Sequence, residues 1–132
     1  MTTRKDALNW FELYVSDFDR AKRFYETILN APLQDVPTAD CNATKDWSRM
    51  AVFPYDCMKG VGGAIVQMKN VAPGAGGTMV YLNVEGDLDG VLKRIPTAGG
   101  TVVKPRMSIG EHGFIAIFKD TEGNVVGLHS LK

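Results

Sequence analysis

The sequence predicts an α+β domain built from two tandem βαβββ modules with mixed sheets. Three observations carry this reading. Within Asn9–Leu29, and again within Thr78–Ile95, an apolar pattern of period two gives way to one of helical period. A run rich in glycine, NVAPGAGG, separates the two stretches. Each stretch is then followed by short alternating segments bounded by turn residues. The whole chain, 1–132, reads as a single domain, with one module over about 8–69, a linker at about 70–77 and the second module over about 78–132.

In the first module Phe11, Leu13 and Val15 alternate with Trp10, Glu12 and Tyr14, giving a strand with two unlike faces. Phe18, Ala21, Phe24, Tyr25, Ile28 and Leu29 then form one helical face, opposite Asp19, Arg20, Lys22, Arg23, Glu26 and Thr27. Ser16 or Asp17 stands where an N-cap is needed, and Asn30 suits the helix stop. Ala31–Ser48 reads as a strand fragment at Leu33–Val36 followed by a polar loop, with Trp47 either anchoring the rim or stacking on a ligand. Met50–Phe53 is a short strand, Gly60–Gly63 a turn and Ala64–Met68 the partner strand. Gly62 and Gly63 there allow a tight reversal or a close approach to the backbone.

The second module repeats the opening. Val80, Leu82 and Val84 alternate with Met79, Tyr81 and Asn83, and Leu88, Val91, Leu92 and Ile95 follow at helical spacing behind an Asp87 cap. Val15-Ser-Asp-Phe-Asp matches Val84-Glu-Gly-Asp-Leu-Asp with one residue inserted. Pro96 and then Gly99-Gly100 are expected to end the helix. Thr101–Val103 begins the next strands, Lys104–Gly113 is a loop and Phe114–Phe118 a dense strand. Asp120–Asn124 is a hairpin turn with Gly123 in the left-handed position, and Val125–Ser130 returns.

Fifteen basic and 15 acidic residues give zero formal charge, so no basic surface of the kind a phosphate backbone demands is expected. The same neutrality argues against a strongly cationic guest and fits a chain that hides part of its surface in an oligomer. The opening residues lack the apolar region of a signal peptide, and no apolar run approaches the ~18 residues of a membrane span, so the chain is expected to be cytoplasmic. Cys41 and Cys57 show no CxxC and no metal spacing; they read as free, partly buried thiols.

The duplicated pattern, together with FELYVSDFDRAKRFYETIL, VGGAIV and FIAIFKDTEGNVVGLHS, resembles the vicinal oxygen chelate superfamily, which includes lactoylglutathione lyase (glyoxalase), extradiol dioxygenases and bleomycin-resistance proteins. It is most similar to the small glyoxalase-like bacterial branch, and the resemblance covers nearly the whole chain. It implies two βαβββ modules forming a cup-shaped sheet, assembled as a homodimer. Metal-dependent relatives hold a divalent ion with His, Glu or Gln from four strands. The resemblance puts Trp10, Met79 and Gly127 at three of those positions and the fourth within Ala64–Gln67, where Gln67 is the only donor. Indole, thioether and glycine cannot replace such ligands, so a metal-free cup without a cofactor is expected.

Side-chain parity then directs Trp10, Glu12 and Tyr14 into the cup, with Met79, Tyr81 and Asn83 from the second module and Val125, Gly127 and His129 from the last strand. Aromatic area with few polar groups is the make-up of a small-molecule pocket. Glu12 is either a general base or ligand-binding carboxylate, or a buried acid bonded to Tyr14, Tyr81 or His129. His129 is its acid–base partner or a satisfied edge histidine, and His112 lies over the cup mouth or on an exposed turn. Trp47, Gln67 and His112 complete the expected ligand-binding set. Two functions follow: binding of a small organic molecule, or lyase or isomerase chemistry through Glu12 and His129. Asp17, Asp19, Asp87 and Asp89 read as helix-start anions, and Arg20, Lys22, Arg23, Lys93 and Arg94 as solvated helix faces.

Overall fold

The strand-to-helix switch is realised twice. The computed structural model describes residues 7–37 and 47–132, with the backbone alone at 47 and 48. The first module contains β1 (Trp10–Tyr14), α1 (Phe18–Leu29), β2 (Gln34–Asp35), β3 (Trp47–Val52) and β4 (Gly62–Met68). The second contains β5 (Tyr81–Asn83), α2 (Leu88–Ala98), β6 (Thr101–Ser108), β7 (Phe114–Lys119) and β8 (Val125–Ser130), with a short 3-10 turn at Gly110–His112. The strands form two four-stranded sheets of orders β1-β4-β3-β2 and β5-β8-β7-β6. β1 runs parallel to β4 and β5 parallel to β8, while the remaining pairs are antiparallel, so both sheets are mixed and repeat one topology.

The two helices and one face of each sheet share a single core. Val15 and Ile65 from the first sheet, and Leu82, Val84, Val126 and Leu128 from the second, are buried in it. α1 touches both sheets. Its Tyr25 ring packs edge-on against Phe53, centroids 5.2 Å apart, and its Phe24 ring lies 6.0 Å from Phe118 of β7. Each such buried aromatic removes a large apolar area from water, worth roughly 1.5–3 kcal/mol. The expected parity therefore holds: odd-numbered positions of β1 and even-numbered positions of β5 and β8 serve the core, and the alternate positions face away from the helices.

Asp17 is the α1 N-cap, its side chain accepting the Arg20 N–H at 3.1 Å, and Asn30 closes the helix with φ 54°. Several local expectations change. Asp87 makes no side-chain cap bond; its carboxylate pairs instead with Arg94 at 2.6 Å, and Arg94 Nε also donates to the Ile28 carbonyl at 2.9 Å. Arg94 is thus a bridge between helices rather than a solvated residue. α2 also continues past Pro96 to Ala98. Proline forfeits only its own N–H there, and the last turn is closed by Gly100 N–H to the Ile95 carbonyl at 2.9 Å and by Gly99 N–H to the Pro96 carbonyl at 3.2 Å. The expected loop from Lys104 is strand as far as Ser108. β6 is an edge strand with two register shifts, a place where Pro105 needs no partner for its missing donor. Cys57 is exposed rather than partly buried, and Cys41 lies outside the described residues.

The hairpin turn Asp120–Asn124 does more than reverse the chain. Asp120 accepts the N–H groups of Glu122 and Asn124, both at 2.8 Å, as an Asp-led turn should, and also takes the Tyr25 hydroxyl at 2.7 Å. Burial, then the neighbouring Asp120 charge, push the Tyr25 phenol well above its ordinary value. Glu122 reaches across to the first module. Its side chain has 0% exposure and accepts from Ser16 N–H at 3.1 Å, Asp17 N–H at 2.9 Å and Arg20 Nε at 2.8 Å. Arg20 is thus committed to this turn. Burial alone would raise the Glu122 pKa, but the bonds from Arg20, the Asp17 amide, Thr121 and Ser16 override it and hold the group at about 2 against an ordinary 4.5. A depressed folded-state pKa contributes stability that is complete above the unfolded value and disappears as pH falls through the folded one. Urea unfolding should therefore show stability declining as pH drops from 4.5 toward about 2. Glu122→Gln should cost about 2–3 kcal/mol at neutral pH and flatten that acid limb; an unchanged limb would show that the carboxylate does not bind the modules.

Candidate functional site

β1 places three side chains on the face away from the helices, and they form one cluster. Trp10 Nε1–H donates to Glu12 Oε2 at 3.2 Å and the Tyr14 hydroxyl donates to Glu12 Oε1 at 3.3 Å. Burial, then the Glu12 charge, raise the Tyr14 pKa above its ordinary value. On the second sheet the corresponding face carries Tyr81 and Asn83 of β5, in register with Gly127 and His129 of β8. His129 Nε2 lies 2.7 Å from the His112 carbonyl oxygen. That oxygen can only accept, so Nε2–H is the donor in this contact.

β1 and β5 each pair on one side only, and a crevice of about 470 Å³ lies between them. Phe11, Leu29, Phe53 and Leu82 supply buried or half-buried apolar lining, and the exposed residues Tyr55, Asp56, Tyr81 and Asn83 are also part of the wall. Two glycines set the tyrosines. A Cβ on Gly62 would sit 2.6 Å from the Tyr55 ring, and one on Gly127 would collide with the Tyr81 ring, so each ring lies flat on bare backbone. Close approach is therefore the use made of Gly62.

Of the residues expected in the site, Tyr81 and Asn83 line the crevice and Glu12, Trp10 and Tyr14 stand together on β1. Glu12 and His129 do not bond each other; each is held by different partners. Gln67 is a correction. Two residues along β4 from core-facing Ile65, it lies on the helix side of the strand, where Oε1 accepts the Phe18 N–H at 2.9 Å. It satisfies a first-turn amide of α1 instead of facing a ligand. The His112 side chain is 78% exposed beside Glu111, and only its backbone takes part, through His129. Met79 precedes the shortened β5 and is 37% exposed. Trp47 lies in β3, with its side chain outside the described residues. Phe53, Tyr55 and Asp56 were not expected in the site; the signal for them is the pair of aromatics just before the glycine-rich entry to β4.

The metal positions implied by the resemblance do not fit a divalent ion. Trp10 offers only an N–H donor, Met79 an apolar thioether, and Gly127 no side chain, its space being filled by Tyr81. Gln67 is turned to α1. Among the described residues no three His, Cys, Asp or Glu side chains stand together as an ion site.

A family model described as the glyoxalase/bleomycin resistance protein/dioxygenase superfamily matches residues 7–128. The chain is 26% identical over 130 residues to a Mycobacterium tuberculosis protein named "Putative glyoxylase CFP32", covering 95% of this chain but 46% of that protein, so it spans about half the length of that relative. Among solved structures, a glyoxalase/bleomycin resistance protein from Albidiferax ferrireducens superposes with TM-score 0.70 at 18% identity, over 95% of this chain and 98% of the other. The fosfomycin resistance protein FosX from Listeria monocytogenes superposes with TM-score 0.62 at 15% identity, over 96% and 92% of the two chains. At these identities the structures show a common fold. Gln67→Met should cost about 1 kcal/mol of stability in urea unfolding, the size of a lost helix cap, and leave ligand binding unaltered; a binding defect without a stability loss would return Gln67 to the site.

Proposed function

Because the chain belongs to the glyoxalase/bleomycin resistance protein/dioxygenase superfamily, we propose that it is a glyoxalase-like member that binds a small organic molecule without the superfamily's metal. The observation that carries this reading is the crevice between β1 and β5. Its volume of about 470 Å³ falls in the range of small-molecule sites, and its lining is mainly apolar and aromatic with a few polar groups. The metal-free part rests on the donor set at Trp10, Met79, Gly127 and Gln67. A homodimer belongs to the same reading, supported by exposed apolar side chains at Trp10 and Met79 outside the crevice lining.

A second reading, lyase or isomerase chemistry, draws on Glu12. Its carboxylate is oriented by two hydrogen bonds on the face away from the helices, as a proton acceptor would need to be. His129 would have to be brought to it by substrate or by a second subunit.

Protein stripped with EDTA and screened against small aromatic compounds should still give ligand-dependent rises in unfolding temperature, because a ligand of the native state stabilises it. Stoichiometric metal that co-purifies, and whose removal abolishes those rises, would overturn the metal-free reading. Glu12→Gln that keeps the thermal response but loses turnover would favour the enzyme.

A further inference from the structure

The acidic side chains divide by location. Away from the crevice they are neutralised: Asp17 and Glu122 by Arg20, Asp19 by Arg49, Glu26 and Asp35 by Lys22, Asp87 by Arg94 and Asp89 by Arg106. Glu111 lies 3.8 Å from His112, and Asp120 is engaged by Tyr25 and its own turn. Among the described residues, Glu12, Asp56, Glu85 and the turn-bound Asp120 have no basic partner, and Glu85 accepts the Leu131 N–H at 2.6 Å. Asp56 lines the crevice, whereas Glu12 stands on the opposite face of β1 from the lining residue Phe11 and is not part of the lining. Glu85 lines an adjoining hollow of about 310 Å³ that shares Leu29, Pro54 and Asn83 with the crevice. Among the described residues no lysine or arginine lines either space. Lys59 belongs to the turn that closes on the Asp56 carbonyl, but its side chain is not part of the lining.

The rings favour the same charge. Tyr55 and Tyr81 each rest one face on a glycine and are 42% and 44% exposed, so the opposite faces remain available. An ammonium over such a face is attracted by the ring quadrupole, and a carboxylate without a basic partner beside low-dielectric walls concentrates a negative potential. An anion gains neither and is repelled. Resting on the reading of the crevice as the ligand site, we infer that it selects an organic ammonium ion with an aromatic or aliphatic body. The apolar part sits on Phe11, Leu29, Phe53 and Leu82, and the ammonium lies against Asp56 and the tyrosine rings. Whole-chain neutrality, which argues against a cationic guest, averages these local acids with lysines elsewhere on the surface; the guest meets the local field.

Calorimetric titration with three matched indoles, tryptamine, tryptophol and indoleacetate, tests this. Tryptamine should bind about tenfold more tightly than tryptophol, with indoleacetate weakest. Asp56→Asn keeps the side-chain oxygen that accepts the Met58 N–H at 3.0 Å, so the turn survives while the charge goes. That variant should bring tryptamine down to the affinity of tryptophol, and Tyr81→Leu should weaken tryptamine more than tryptophol. Equal affinities for amine and alcohol, or an amine preference that survives Asp56→Asn, overturns the charge selection while leaving the crevice as a ligand site. Failure of all three to bind overturns both.

Discussion

The seating of the Asp120–Asn124 turn on the junction of β1 and α1 is the constraint on which the rest of the molecule depends. A carboxylate with no exposed surface is costly unless nearly all its bonding capacity is used, and Glu122 uses it on the Ser16 and Asp17 amides, the Ser16 and Thr121 hydroxyls and Arg20. Asn124 extends the link, donating to the Tyr14 carbonyl at 2.8 Å and accepting the Gly74 N–H at 2.9 Å. One turn of the second module thus fixes the end of β1, the start of α1 and the connecting segment. The separation of β1 from β5, and with it the width of the crevice, follows from that fixture.

At three positions where the resemblance implies metal ligands, this chain has an indole, a thioether and a glycine, and the bare backbone of Gly127 is covered by a tyrosine ring. The same device appears at Gly62 under Tyr55. Aromatic faces laid on glycines present broad, stiff apolar area with a polar edge at small cost in side-chain freedom. The Glu12 cluster adds a fixed carboxylate beside it.

Much of this was legible in the sequence wherever the cause was local. The Asp17 cap, the Asn30 stop, the apolar stripe of α1 and the Asp120-led turn all depend on residues within a few positions of one another, and all appear as read. Parity in β1 and β5 was legible for the same reason. Three features were not, and only for the first is the cause a partner far along the chain. Arg20 and Arg94 look like solvated helix charges until Glu122 and the Ile28 carbonyl are placed beside them. α2 passes Pro96 because the glycines that follow close its last turn. Gln67 was chosen as the one donor in its segment, although alternation from Ile65 already assigns it to the core side of β4. The crevice itself lies between two strand edges, and no single segment announces it.

The most direct test is a map of intermolecular nuclear Overhauser effects between bound tryptamine or tryptophol and protein labelled at its tyrosine and phenylalanine rings. The account predicts cross-peaks from the indole to Tyr55 and Tyr81 at the mouth and to Phe53 within. Cross-peaks confined to rings outside the crevice, such as Phe24 or Phe114, would contradict it.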